Sequence, residues 1–281
     1  MHFFTEGVLT FSKIFCFFVE QIDSQLFIKI EYNFFFKQTA MIQNLLLQKI
    51  AQTWADFTNL FFPRLCLACS QPIAFDEAFI CLNCQADLPE THFHLSEKNP
   101  FTERFEGRLP LETAAALYFF TKKSKTQHLI HQIKYQDKRE VAFELGRCLG
   151  QKLTQQPHFQ SIDCIIPVPM HSKKRITRGF NQAEIFANGL SNTMEKPINV
   201  TVLRKIKMTE TQTKKTRLER LKNAEDVFAI SDPSVLAHKN VLIVDDVMTS
   251  GATLESCANT ILAASPSTKI NFATIAFVKS T

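Results

Sequence analysis

Residues 241–253 read VLIVDDVMTSGAT, and no other stretch constrains the chain as tightly. A continuous Val/Leu/Ile run suits a strand buried on both faces of a parallel sheet. Two adjacent carboxylates are costly inside a core, so Asp245 and Asp246 must stand at the strand's rim. The next five residues, Thr249, Ser250, Gly251, Ala252 and Thr253, are small and rich in hydroxyls. Leu254, Cys257, Ala258, Ile261 and Leu262 then fall on one face of a helix over 254–264. In open α/β sheets ligands gather beyond the carboxyl ends of strands. A loop at a helix N-terminus favours phosphate, and the carboxylates can accept from a diol or face a metal ion. A lone Thr-Ser-Gly would be satisfied by an ordinary capped turn, but the thirteen-residue string is more specific.

The rest of the chain supplies the sheet that this strand needs. Residues 114–120, 164–168, 200–204 and 272–278 read as strands. Residues 126–135, 140–153 and 180–190 carry apolar positions at helical spacing. Such alternation predicts an α/β domain with a mainly parallel sheet flanked by helices, over 112–281. Residues 91–111 look polar and irregular and are expected to be a linker. Residues 41–63 are expected to be an amphipathic helix that stops at Pro63. Residues 1–40 hold 10 of the 27 phenylalanines without a sustained period. They are expected to be translated upstream sequence, disordered, with the true start at Met41. A membrane-surface anchor is the alternative, although the segment lacks a basic face. No apolar run is long enough to cross a bilayer. The net charge of +5 is concentrated, because residues 168–225 carry 13 Lys/Arg against 5 Asp/Glu. That stretch can hold phosphates or be a solvated loop.

Eight cysteines are present. Cys66 and Cys69 form one C-x-x-C pair, and Cys81 and Cys84 a second, with eleven residues between the pairs. Two such knuckles suit tetrahedral zinc held by four thiolates, within a module over 64–90. With four thiolates no open catalytic position remains, so the zinc is expected to be structural. A thioredoxin-like redox site would need one pair. The chain shows no secretory signal, which argues against disulfides and for the cytoplasm. Cys16, Cys148, Cys164 and Cys257 are expected to be buried small hydrophobes.

The string VLIVDDVMTSGAT resembles the signature by which type I phosphoribosyltransferases bind phosphoribosyl diphosphate (PRPP). Ser250 stands where many members have threonine, which keeps the hydroxyl. The resemblance implies that Asp245 and Asp246 hold the ribose hydroxyls, with Mg²⁺, and that Thr249 to Thr253 hold the 5′-phosphate. It also implies a second anion loop for the diphosphate, and CIIPVPMHSKKRITRGFNQAE (164–184) fits it. Met170, His171 and Ser172 would form that loop, with Arg178 among its cations.

KYQDKRE (134–140), PVPMHSKKRITRGFNQAE and TQTKKTRLERLKNAEDVF (211–228) narrow the match. Together with the four cysteines they resemble the ComF family of late competence proteins, including its GntX-type members. In that family the span around Thr211, Gln212, Arg217, Arg220 and Asn223 is the flexible loop that closes over PRPP. The resemblance implies a cytoplasmic protein of DNA uptake in natural transformation. Its partners would be a phosphoribosyl ligand, single-stranded DNA and other competence proteins. As an enzyme it would displace diphosphate at ribose C1, with an acceptor that the sequence does not reveal. The alternative is a non-catalytic PRPP sensor, DNA-binding protein or scaffold.

Overall fold

The computed structural model describes residues 49, 63–74, 79–135, 138–170, 176, 179–206 and 228–279. The chain divides into two units, 1–64 and 65–281. The elements below belong to the second. The helix expected over 41–63 and the extension 1–40 lie almost wholly outside the described residues.

Four strands form one all-parallel sheet. β1 (Leu111–Phe120) and β2 (Cys164–Pro167) are its edges. A short antiparallel pair, β3 (Leu203–Lys205) and β4 (Phe228–Ile230), stands outside it. β5 (Asn240–Met248) and β6 (Lys269–Val278) complete the main sheet in the order β1-β6-β5-β2. The strand expected over 200–204 is therefore not part of the main sheet. It pairs with β4, whose three residues are too few to show a period in a polar stretch. All four main strands point the same way, so their carboxyl ends open on one side.

Five helices and four single helical turns (Phe93–Leu95, Pro100–Glu103, Pro157–Gln160 and Pro233–Leu236) accompany the strands among the described residues. α1 (Leu82–Asp87) belongs to the cysteine module. α2 (Lys125–Tyr135), α3 (Arg139–Thr154) and α4 (Gln182–Met194) cover one face of the sheet. Leu129, Ile133, Leu145, Leu149, Phe186 and Leu190 pack there against Leu117, Leu242, Val244 and Ile275. α3 and α4 cross with almost no gap. A Cβ on Gly146 would lie 2.2 Å from the Phe186 carbonyl oxygen, and one on Gly189 would lie 2.0 Å from that of Phe143. Only glycine permits that approach.

α5 (Ala252–Ala264) covers the other face, together with the segment 91–111. That segment was expected to be a linker, and it packs as core. Phe93, Phe101 and Phe105 are buried, and Phe105 meets Phe272 edge-on with ring centroids 5.1 Å apart. Asn99 holds the turn Pro100–Glu103 by accepting from Phe101 and Thr102 N–H, while its amide donates to the Ala114 carbonyl. Three isolated phenylalanines among polar residues show no helical or strand period, which is why the sequence hides them. The Thr91 N–H donates to the Leu117 carbonyl and Phe119 N–H to that of Pro89. These bonds cover the free edge of β1, an otherwise open template for pairing.

Candidate functional site

β5 carries Asp245 and Asp246 at the ligand side of the sheet. Period-2 alternation sends their side chains to opposite faces, and their surroundings agree. Asp246 turns toward the three-helix face, where the Lys134 ammonium at the end of α2 lies 2.8 Å from its Oδ2. Both side chains of that pair are mostly buried, at 18% and 23% exposure. Asp245 turns toward the face that holds β3. Burial, then the charge of Asp246, pushes its carboxyl up from 3.8 to about 7. The Asp246 N–H, which donates to Asp245 Oδ1 at 2.8 Å, and the charges of Lys134 and Lys205 act against that rise. Two adjacent like charges are tolerated because each faces its own side, and one has a cation in contact.

Downstream of the carboxylates the chain turns through Thr249 and Ser250, both exposed, to Gly251. Gly251 adopts φ +86° and is the N-cap of α5. With no side chain to cap the helix, it leaves the first-turn N–H groups open to an anion. Ala252 N–H reaches only the Ser250 hydroxyl, at 3.4 Å, and Thr253 follows inside the first turn. Glu255 would repel an anion there, but Arg108 holds its carboxylate at 3.0 Å.

Three supporting residues escaped the sequence reading. Arg104 donates to the Thr249 carbonyl at 2.9 Å and to the Val278 carbonyl at 2.7 Å, tying the loop to the end of β6. Phe105 lies directly under Gly251, where a Cβ would come within 2.7 Å of the ring. Lys134 stood in the string KYQDKRE, but no spacing announces that a helix end will meet a strand end. Arg104 and Phe105 lie in the segment expected to be a linker, so no signal pointed to them.

The second expected loop follows β2. Val168 N–H donates to the Val244 carbonyl at 2.8 Å, so the chain leaves β2 beside the start of the carboxylate pair. Met170 is half-buried there. Asn181 closes the loop's far end. Its amide donates to the Val168 carbonyl at 3.0 Å, and its oxygen accepts from Ala183 N–H as the cap of α4. His171, Ser172 and Arg178 lie outside the described residues, as do Thr211, Gln212, Arg217, Arg220 and Asn223.

The four module cysteines converge. Their sulfur atoms all lie within 4.8 Å of one another. Cys69 and Cys81 Sγ are 3.8 Å apart, about the edge of a tetrahedron with ~2.3 Å metal–sulfur bonds and far beyond a ~2.05 Å disulfide. Two turns build the cluster. Cys66 N–H donates to the Gln71 carbonyl and Ser70 N–H to that of Cys66, while Cys81 caps α1. Leu67 N–H donates to the Phe79 carbonyl and ties the two knuckles. Burial raises the Cys66 thiol, but N–H groups of Cys81, Ala68 and Cys69 donate to its sulfur and draw it down to about 7. Burial and the neighbouring thiols push Cys84 up. Four thiolates so close need a cation, and the donor set fits a soft or borderline metal ion. Among the described residues no other group of three or more metal-ligating side chains forms. Asp245 and Asp246 alone would leave a hard cation to take most of its oxygens from ligand and water. Of the other cysteines, Cys257 is buried as expected, Cys164 is partly buried, and Cys148 is exposed, in a cleft that it lines with Tyr118 and Val141.

These features define a class. They are a parallel sheet, paired carboxylates at one strand end and an open glycine turn at the next helix. The chain belongs to the phosphoribosyl transferase domain family, which matches residues 134–281, more than half its length. Within that class it falls with the ComF and YhgH proteins. It is 27% identical over 218 residues to "DNA utilization protein YhgH" of Shigella flexneri, covering 72% of this chain and 92% of that one. It is 25% identical over 204 residues to "Competence protein ComFC" of Bacillus subtilis, covering 71% and 78%. Among solved structures, the glutamine PRPP amidotransferase of Bacillus subtilis has a TM-score of 0.35 at 18% identity, over 52% of this chain and 30% of that one. No described helix is long and apolar enough to cross a membrane.

Proposed function

We propose that this protein binds PRPP, or a related phosphoribosyl ligand, with Mg²⁺ at the carboxyl end of β5, and acts in DNA uptake or utilisation. One observation carries the reading: two carboxylates at a strand end lead directly into a helix N-terminus that Gly251 leaves uncapped. The carboxylates of Asp245 and Asp246 accept hydrogen bonds from the ribose hydroxyls. The Thr249–Thr253 backbone and hydroxyls hold the 5′-phosphate. Met170, His171, Ser172 and Arg178 cradle the diphosphate, and Arg217 and Arg220 add positive charge for it. Mg²⁺ would neutralise charge on the diphosphate. If transfer follows, the C1–O bond to diphosphate breaks as the acceptor attacks, and the protein's part is positioning and stabilising the departing anion. The four thiolates hold structural zinc, in keeping with a reducing cytoplasm. The link to DNA rests on the names of the relatives.

The charge distribution favours a second reading. The excess of eight cations over 168–225 suits single-stranded DNA as well as diphosphate. The protein would then be a PRPP-responsive DNA-binding or scaffold component without turnover. Calorimetry with PRPP and Mg²⁺, beside the Asp245→Asn/Asp246→Asn double variant, tests the first reading. Binding by the parent that is lost in the double variant is expected. Absence of binding by folded, metal-loaded protein would overturn it. Steeply salt-dependent binding of single-stranded DNA that survives the double substitution would favour the second.

A further inference from the structure

The Lys134–Asp246 pair sits inside the proposed ligand site, and it is not an ordinary surface ion pair. The ammonium is 2.8 Å from Oδ2, and both side chains are largely withdrawn from water. Exposed pairs contribute little, whereas breaking a partly buried one leaves an uncompensated charge. Lys134 is the penultimate residue of α2, and that helix is anchored in the core by Leu129, Ile130 and Ile133. Its ammonium is therefore held near β5 by packing and does not reach there by chance. The other carboxylate is also engaged, since Asp245 Oδ1 accepts the Asp246 N–H at 2.8 Å. No third acidic side chain joins the two among the described residues.

We infer that Lys134 is an internal counter-ion that bars a free divalent cation from the Asp245–Asp246 strand end, so that the cation enters only as a complex with the phosphoribosyl ligand. The inference rests on the reading of this strand end as the ligand site. A hydrated divalent cation gains little from two carboxylates when one is already neutralised. It gains more when it brings diphosphate oxygens as ligands. The incoming complex carries its own negative charge, and Lys134 can turn from Asp246 to that charge without leaving α2. A positive group at this position thus favours the loaded ligand over the free cation. Lys134 acts as a positioning residue in this scheme.

The test uses Mn²⁺ as the probe, with the full-length zinc-loaded protein and no PRPP. Paramagnetic relaxation of water protons reads Mn²⁺ binding directly. Weak binding is expected for the parent and for Lys134→Arg. Tightening by about tenfold, the scale of one partly buried ion pair, is expected for Lys134→Met and also for Lys134→Gln, which guards against one variant failing to fold. Adding Asp246→Asn to either should remove the gain. Unchanged Mn²⁺ affinity in whichever folded variant is obtained overturns the inference, whatever PRPP does. PRPP binding is measured separately on the same proteins. Its absence in the parent would count against the ligand reading and leave the Mn²⁺ result to decide the role of Lys134.

Discussion

Cys66, Cys69, Cys81 and Cys84 gather their sulfur atoms within 4.8 Å, with backbone N–H groups directed at Cys66. Asp245 and Asp246 are also crowded, but they part to opposite faces of a sheet, and Lys134 already stands beside one of them. The first cluster cannot be charged without an added cation. The second is largely compensated by the protein itself. The surrounding cores differ to match. Around the thiols, among the described residues, Ala68, Ile73 and Ile80 supply the apolar packing besides the cysteines, and Ile80 also touches the larger core. The carboxylates follow Val241, Leu242, Ile243 and Val244, all wholly buried in two large cores. Where a core is too small to hold a shape, a metal must do it. Where the core is sufficient, charge is free to serve a ligand.

Metal removal separates the two regions most sharply. Chelation, or Cys84→Ser, should release the metal and open 64–88, with the sheet retained. The effect is on the order of 10 kcal/mol for the module. Amide exchange by fragment checks it, and unchanged protection of 79–88 after metal loss would break the contrast. Phe105→Ala should come next, costing about 3–5 kcal/mol of stability. It should also loosen the Gly251 turn, seen as faster exchange at 249–254 without change at the cysteines. Arg104→Met removes two bonds to carbonyls and should cost about 1–3 kcal/mol, with a lowered thermal midpoint.

A pH dependence is also expected from Asp245. Its carboxyl holds a proton better folded than unfolded. Its contribution to stability is therefore complete below about pH 4 and is lost as pH rises toward about 7. Asp245→Asn should flatten that part of the stability profile in denaturant titrations. A parent slope that persists in the variant would assign the titration to another group.

The strand end was legible because chemistry and secondary structure change within a few adjacent residues. An apolar run, two carboxylates and a glycine need only local rules. The four thiols were legible for the same reason, since two C-x-x-C spacings declare the ligands. The parallel sheet followed from the alternation of elements. What stayed hidden depends on contacts far apart in the chain. Arg104 meets Thr249 and Phe105 meets Gly251 across some 145 positions, and no period marks them. Cys148 was misread because it sits at the edge of its helix's buried stripe and borders an open cleft. The pairing of Lys134 with Asp246 needed the fold.

The phosphoribosyl ligand is proposed to bind at the carboxyl end of β5 and not at the cysteine module. Hydrogen exchange measured with and without PRPP and Mg²⁺ tests it directly. The account predicts new protection at 245–256 and near residue 134, none at 64–88, and its loss in Asp245→Asn/Asp246→Asn. Protection that is absent from 245–256, or that persists in the double variant, would contradict it.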